Sequence, residues 1–191
     1  MTAAATTAGT VAVTRRRVFT APLAMSALAM PALALPALAL PLAALPLSTH
    51  AAPAAPGQAV AWPDVALLGG SRFGPAQAQG RALVVVFWST TCPFCRRHNP
   101  HVEKLHRAAA GKALQVLTVA RDRDATTVLR YAQLQGYTFP ISMDHTPLAA
   151  ALSQRNVIPL TVTVDRKGLL RQVIPGEMFE EDVLELLALA A

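Results

Sequence analysis

The sequence predicts an α/β fold in which a central mixed sheet is flanked by helices and closed by a C-terminal β-hairpin and a last helix. Three observations predict it. An unbroken apolar run of strand length occurs at residues 83–88 and a mostly apolar one at 114–120, the pattern of strands buried on both faces. Stretches of helical length separate and follow these runs, residues 93–110 before Gly111 and residues 126–135 before Gly136. A β-branched run at 160–164 then enters the turn Asp165-Arg166-Lys167-Gly168, and residues 169–174 supply the second arm of a hairpin.

Taken in chain order, the first 51 residues read as an export signal. Arg15-Arg16-Arg17 precedes an uncharged apolar run from Ala21 to about Leu47, followed by Ser48-Thr49-His50-Ala51. That is the order of a basic region, an apolar region and a small-residue cleavage site, with the cut expected between Ala51 and Ala52. The run exceeds the ~7–15 residues usual for such a signal and is long enough for the ~20 of a spanning helix, so an uncleaved anchor is the alternative. Pro31, Pro36, Pro41 and Pro46 favour the cleaved signal, because each removes a backbone donor and clashes with the preceding turn. Arg16-Arg17-Val18-Phe19 also resembles the twin-arginine export motif.

Residues 52–63 read as a Pro/Ala-rich lead-in, and the folded domain is expected over 64–191. Residues 139–143 fit a short strand and 147–154 a helix. Residues 180–190 fit a last helix with its acidic residues early, where the dipole favours them. After residue 51 the chain carries 14 Lys and Arg against 11 Asp and Glu, with no basic run interleaved with aromatics. That balance speaks against a nucleic-acid partner.

Both cysteines of the chain, Cys92 and Cys95, lie where the first apolar run meets the first helix, in Cys92-Pro93-Phe94-Cys95. A loop this short yields little cross-linking entropy, so stabilisation is a poor reason for the pair. Unpaired N–H groups and the positive end of the helix instead favour a thiolate at Cys92, with Pro93 suited to the first helical turn and Arg96, Arg97 and His98 adding positive field. Cys92 is then the attacking residue, and Cys95, one turn on, resolves the mixed disulfide. An inert buried pair or half of a zinc site are the competing readings. C-x-x-C on a strand-to-helix turn in a βαβ pattern favours redox chemistry over both.

The stretch VVVFWSTTCPFCRRHNP resembles the thioredoxin superfamily, in which an apolar strand ending in Phe-Trp precedes C-x-x-C and a proline follows five residues after the second cysteine, as Pro100 does. Asn156-Val157-Ile158-Pro159 is similar to the cis-proline loop of that family. Together with Gly136-Tyr137-Thr138-Phe139-Pro140 and Pro175-Gly176, the order looks most like the exported bacterial thioredoxins of the TlpA/ResA type, over roughly residues 60–190.

That resemblance implies a periplasmic thiol–disulfide oxidoreductase that reduces protein disulfides, with cytochrome c maturation as one use. It implies electrons from a membrane thiol donor, no organic cofactor and no metal. Membrane attachment would come only through an uncleaved signal. It further implies that Pro159 lies against Cys92 with a cis peptide and that the Ile158 backbone pairs with an extended substrate. Trp88, Pro93 and Phe94 join Ile158 in the expected substrate-binding surface.

Three residues depart from the family pattern. Val86 stands where cytoplasmic thioredoxins carry a buried Asp, Thr91 where a Trp commonly precedes the first cysteine, and Leu160 where a Thr usually follows the proline. The nearest replacement carboxylates for a proton acceptor to Cys95 are Asp122 and Asp124, and a solvated loop is the expected use of both.

Two rivals use the same cysteines: a disulfide-forming oxidant and a copper(I) chaperone. Motifs of this fold span about −270 to about −120 mV, and Pro93-Phe94 does not itself tell direction. Cys92, Cys95, His98 and His101 cannot all hold one ion, since the run rises about 13.5 Å along a helix and ligands lie ~2.0–2.3 Å from a metal. Two thiolates with a distant His145 remain possible ligands for copper(I). The histidines are expected on a solvated helix face.

Overall fold

The computed structural model describes residues 52–191, so the export-signal expectation for residues 1–51 lies outside the described residues. Among those described, no helix is long and apolar enough to cross a membrane. A small antiparallel pair comes first, β1 (Val65–Ala66) with β2 (Arg72–Phe73), then one helical turn, α1 (Pro75–Ala78). The main elements follow as β3 (Ala82–Trp88), α2 (Pro93–Ala108), β4 (Leu114–Ala120), α3 (Ala125–Gln135), β5 (Ile141–Ser142), α4 (His145–Leu152), β6 (Leu160–Val164) and β7 (Leu170–Pro175). The chain closes with α5 (Glu180–Glu185) and a 3₁₀ turn over Leu186–Ala190.

The five-stranded sheet has the order β5-β4-β3-β6-β7. β4 runs parallel to β3 and to β5, whereas β6 is antiparallel to β3 and to β7. The sheet is thus mixed, with β3 at its centre. All seven residues of β3 are buried, as an unbroken apolar run predicts for a strand covered on both faces. Strand alternation splits them. Val84, Val86 and Trp88 pack with Cys95, Val102 and Leu105 on the α2 side, and Leu83, Val85 and Phe87 pack with Leu148 and Leu152 of α4 on the other.

The 52–63 segment does not trail free of the domain. Gly57 N–H donates to the Leu170 carbonyl at 2.7 Å, Leu170 N–H to Gln58 at 2.9 Å and Val60 N–H to Gly168 at 2.9 Å. β7 is an edge strand with unpaired backbone groups, and this segment supplies partners at one end of it. Trp62 then sets its ring edge-on to Phe73 at 5.5 Å, so order begins before Asp64. The last helix also ends sooner than its composition suggests, passing into 3₁₀ geometry at Leu186.

Glu103 is the one acidic residue of α2, and it ties that helix to the chain entering β5. Its carboxylate accepts from Thr138 N–H at 2.8 Å, Thr138 Oγ1 at 2.6 Å, Phe139 N–H at 3.2 Å and Arg107 Nε at 2.7 Å. Burial opposes the charge, yet the Thr138, Arg107 and Phe139 donors outweigh it and hold the carboxyl below its ordinary range. The Glu103 side chain is 8% exposed and Arg107 63%, so the buried N–H donors matter more than the ion pair. Glu103→Gln, which places an amide donor among those donors, should lower unfolding free energy by about 2 kcal/mol in a urea titration. A change within about 0.5 kcal/mol, the scale of an ordinary surface substitution, would refute this role.

Candidate active site

β3 ends at Trp88, and Ser89-Thr90-Thr91 carries the chain to the first turn of α2. Cys92 is the N-cap of that helix and Pro93 occupies its first turn, where a missing N–H costs nothing. The Cys95 N–H donates to Cys92 Sγ at 3.2 Å. A backbone donor therefore points at the atom that would carry a thiolate charge, with no acidic residue in the first turn to oppose it.

Both cysteines are free thiols, but their surroundings differ. Cys92 is partly exposed, whereas Cys95 is wholly buried. Burial pushes the Cys95 thiol up to about 12, with hydrogen bonding and charge from Cys92 acting in the same direction. The two sulfurs are thus divided by access, and burial keeps the proton on Cys95.

Across from α2 lies the loop that enters β6. The Ile158–Pro159 peptide is cis, and the Cys92 thiol faces the Ile158 carbonyl at 3.7 Å. Pro159 is buried and Ile158 half-buried. The Pro159 carbonyl accepts from Gly176 N–H at 2.8 Å, which joins the loop to the end of β7. Cys92, Cys95, Ile158 and Pro159 therefore meet at one edge of the sheet, where β3 and β4 end. Pro93 and Phe94 lie on the exposed side of that meeting point, Phe94 at 53% exposure.

Trp88 does not join them. It is completely buried, with its ring 5.8 Å from Tyr131 and 6.3 Å from Phe139, and cannot reach a substrate. Its place at the end of β3 gives it the same parity as Val86 and Val84, so it points beneath α2 into the core.

His98 likewise departs from the solvated helix face expected of it. It is wholly buried, not solvated. Met178 N–H donates to its Nδ1 at 3.2 Å, so in the neutral ring the proton sits on Nε2 and faces Thr161 Oγ1 at 3.3 Å. One imidazole thereby ties α2 to β6 and to the segment between β7 and α5. Burial pulls its titration down to about 4, against a smaller opposing pull from Glu177. His101 is partly exposed and lies 3.2 Å from Glu180, and His145 is the first residue of α4. Among the described residues, no three His, Cys, Asp or Glu side chains gather as a metal-ligand group.

Neither aspartate after β4 is left in a plain solvated loop. Asp122 accepts from Thr90 N–H at 3.1 Å, from Thr90 Oγ1 and from Ser89 Oγ at 3.3 Å, clamping the turn that delivers Cys92. Asp124 is the N-cap of α3, accepting from Thr126 N–H at 3.3 Å and Thr127 N–H at 2.8 Å. The sequence signal for the cap was Asp124 followed by the helical stretch. Nothing local announced the Asp122 contact, which joins residues 32 apart.

One further residue near the site went unnoticed in the sequence. Glu177 takes Arg97 in two hydrogen bonds, at 2.8 and 3.0 Å, and the Arg97 guanidinium lies over the Phe94 ring at 5.0 Å. This fork steadies the exposed Phe94 between the two cysteines.

A C-x-x-C at the head of a helix, set against a cis-proline loop on a mixed sheet with β3 at its centre, defines the thioredoxin-like class. The chain belongs to the redoxin family, whose model matches residues 55–187. It is similar to a thiol-disulfide oxidoreductase ResA from Geobacillus kaustophilus, 28% identical over 105 residues, 55% of this chain and 60% of that protein. It is also similar to the thioredoxin-like protein YneN of Bacillus subtilis, 30% identical over 66% of this chain and 76% of that one. The chain spans 60–64% of the length of the first ResA relatives it matches. Among solved structures, a thiol:disulfide interchange protein of the thioredoxin family from Chlorobium tepidum aligns with a TM-score of 0.65 and 24% identity, covering 73% of this chain and 99% of that one. That likeness shows the thioredoxin-like fold.

Proposed function

We propose that this protein is an exported thiol–disulfide oxidoreductase that reduces disulfides of protein substrates in the periplasm. One observation carries the reading: a partly exposed Cys92 at a helix N-terminus, 3.2 Å from the Cys95 N–H and 3.7 Å from the carbonyl before a cis-proline. The similarity to ResA supports the same chemistry, and the basic and apolar residues before Ala52 support export.

The chemistry proceeds in two exchanges. An extended substrate pairs with the Ile158 backbone, which brings its disulfide to Cys92. The Cys92 thiolate attacks one substrate sulfur, and the other leaves and takes a proton. Cys95 then loses its proton and attacks the Cys92 sulfur, releasing the second substrate thiol and closing a Cys92–Cys95 disulfide. Two electrons pass to the substrate. A membrane thiol donor restores the dithiol, and cytochrome c maturation is one process that would use it. No organic cofactor takes part.

Equilibration of residues 52–191 with glutathione or dithiothreitol buffers tests the direction. The expected potential of the Cys92–Cys95 couple is at or below about −250 mV, the thioredoxin end of the range. A value near −120 mV would make the protein an oxidant, and failure to form the disulfide would overturn the redox reading itself.

A further inference from the structure

Beside the cis-proline loop, on the side away from α2, the structure holds a cavity of about 160 Å³. Its floor is Phe87 and Leu160, and its polar wall is Arg121, His145, Arg155 and Asn156, with no carboxylate among the lining residues. Two of these residues lie two positions from Ile158 in the chain, Asn156 before it and Leu160 after it. The cavity therefore opens next to the backbone that faces Cys92 at 3.7 Å.

Arg121 is built into this place. It follows the last residue of β4, its N–H donates to the Trp88 carbonyl at 2.8 Å, and its guanidinium donates to Asn156 Oδ1 at 2.5 Å. It is half-buried. The Asn156 contact is neutral, so the guanidinium charge is left without a counter-ion. Neither Arg121 nor Arg155 has a carboxylate partner within 4.0 Å among the described residues, whereas Arg97 and Arg107 each do. A preformed guanidinium on an apolar floor, with a second cation beside it, suits a planar anion small enough for the cavity.

Resting on the oxidoreductase reading, we propose that this cavity receives the carboxylate of an Asp or Glu within two residues of the substrate cysteine. The preferred substrates are thus extended polypeptides with acidic residues next to the disulfide. A strand paired to Ile158 advances about 3.3 Å per residue, so a side chain two residues from the reacting sulfur stands about 7 Å along. That is the scale set by the two-residue offset of Asn156 and Leu160 from Ile158.

The test uses the reduced protein and symmetric peptide disulfides, each strand carrying one cysteine, with Glu, Gln or Lys two residues before or after it. Thiol release is measured under second-order conditions. In at least one of the two placements the Glu peptide should react about fivefold faster than the Gln peptide and faster still than the Lys peptide, and the preference should shrink as salt rises from 0.02 to 0.5 M, taken as about the span over which exposed charges become screened.

Arg121→Gln and, independently, the exposed Arg155→Gln should each lower the Glu-to-Gln rate ratio towards one. The ratio is taken within one protein, so the amount of folded protein cancels. Arg155→Glu should shift the preference towards the Lys peptide. A Glu-to-Gln ratio of one in the unaltered protein at both placements, or a ratio that survives all three substitutions, overturns the proposal while leaving the chemistry of Cys92 intact. Failure of every peptide to be reduced would instead overturn the oxidoreductase reading.

Discussion

Replacing Cys92 with Ser should lower the rate of protein-disulfide reduction by about a thousandfold or more, because a hydroxyl beside the same N–H donor stays protonated at neutral pH and attacks sulfur poorly. Cys95→Ser should behave differently. Cys92 keeps its exposed position and can still attack, but nothing buried beneath it resolves the product, so a mixed disulfide between Cys92 and the substrate should accumulate. Mass spectrometry of each variant after incubation with a disulfide peptide distinguishes them: an adduct on Cys95→Ser and none on Cys92→Ser. The reverse pattern would assign attack to Cys95 and contradict the division made by burial.

On the proposed mechanism, that division would set the order of events. A buried thiol held up to about 12 by desolvation and by its neighbour would stay protonated during the proposed attack by Cys92. When Cys92 enters a mixed disulfide, the hydrogen bonding and charge it contributes are altered, and the remaining obstacle to ionising Cys95 is burial. The Asp122 carboxylate, taken up by Thr90 and Ser89, holds the turn in place and has few lone pairs left for this proton. It is a positioning residue for Cys92.

The parts of this molecule that were legible in the sequence are those set by local pattern. β3 is an unbroken apolar run, β4 a mostly apolar one and β6 a β-branched one, so their lengths and burial could be read directly, and Gly136 marks the end of α3 because it adopts a left-handed φ of 69° that other residues avoid. The Cys92 N-cap followed from a strand meeting a helix at C-x-x-C. What could not be read depends on which distant segment covers a face. His98 looks solvated beside Arg96 and Arg97, yet the chain after β7 folds back over α2 and donates Met178 N–H to it across 80 residues. Trp88 looks available beside Cys92, yet strand parity and the rings of α3 and its following loop enclose it. The edge of β7 recruits residues 57–60 for the same reason, since an unpaired strand edge takes whatever backbone is within reach.

The buried His98 should make the fold acid-sensitive in a window set by its own titration. In the unfolded chain its ring titrates near 6.5, and in the fold burial brings that down to about 4. Between these values the unfolded state binds more protons than the native state, so stability rises with pH there. The contribution is complete above about pH 6.5, falls as pH drops through the window, and has lost about 3 kcal/mol by pH 4. Carboxylates held low in the fold, such as Glu103 with an ordinary value of 4.5, begin to lose their contribution near the acid end of that window and go on losing it below pH 4. Urea unfolding of the unaltered protein and of His98→Gln at intervals from pH 7.5 to 4 isolates the ring. The variant should be weaker at pH 7, where Met178 N–H or Thr161 Oγ1 loses its partner, but its stability should fall by about 3 kcal/mol less across the window. Two parallel curves would show that His98 is protonated in the fold without penalty, and the tautomer assigned from Met178 and Thr161 would have to be abandoned.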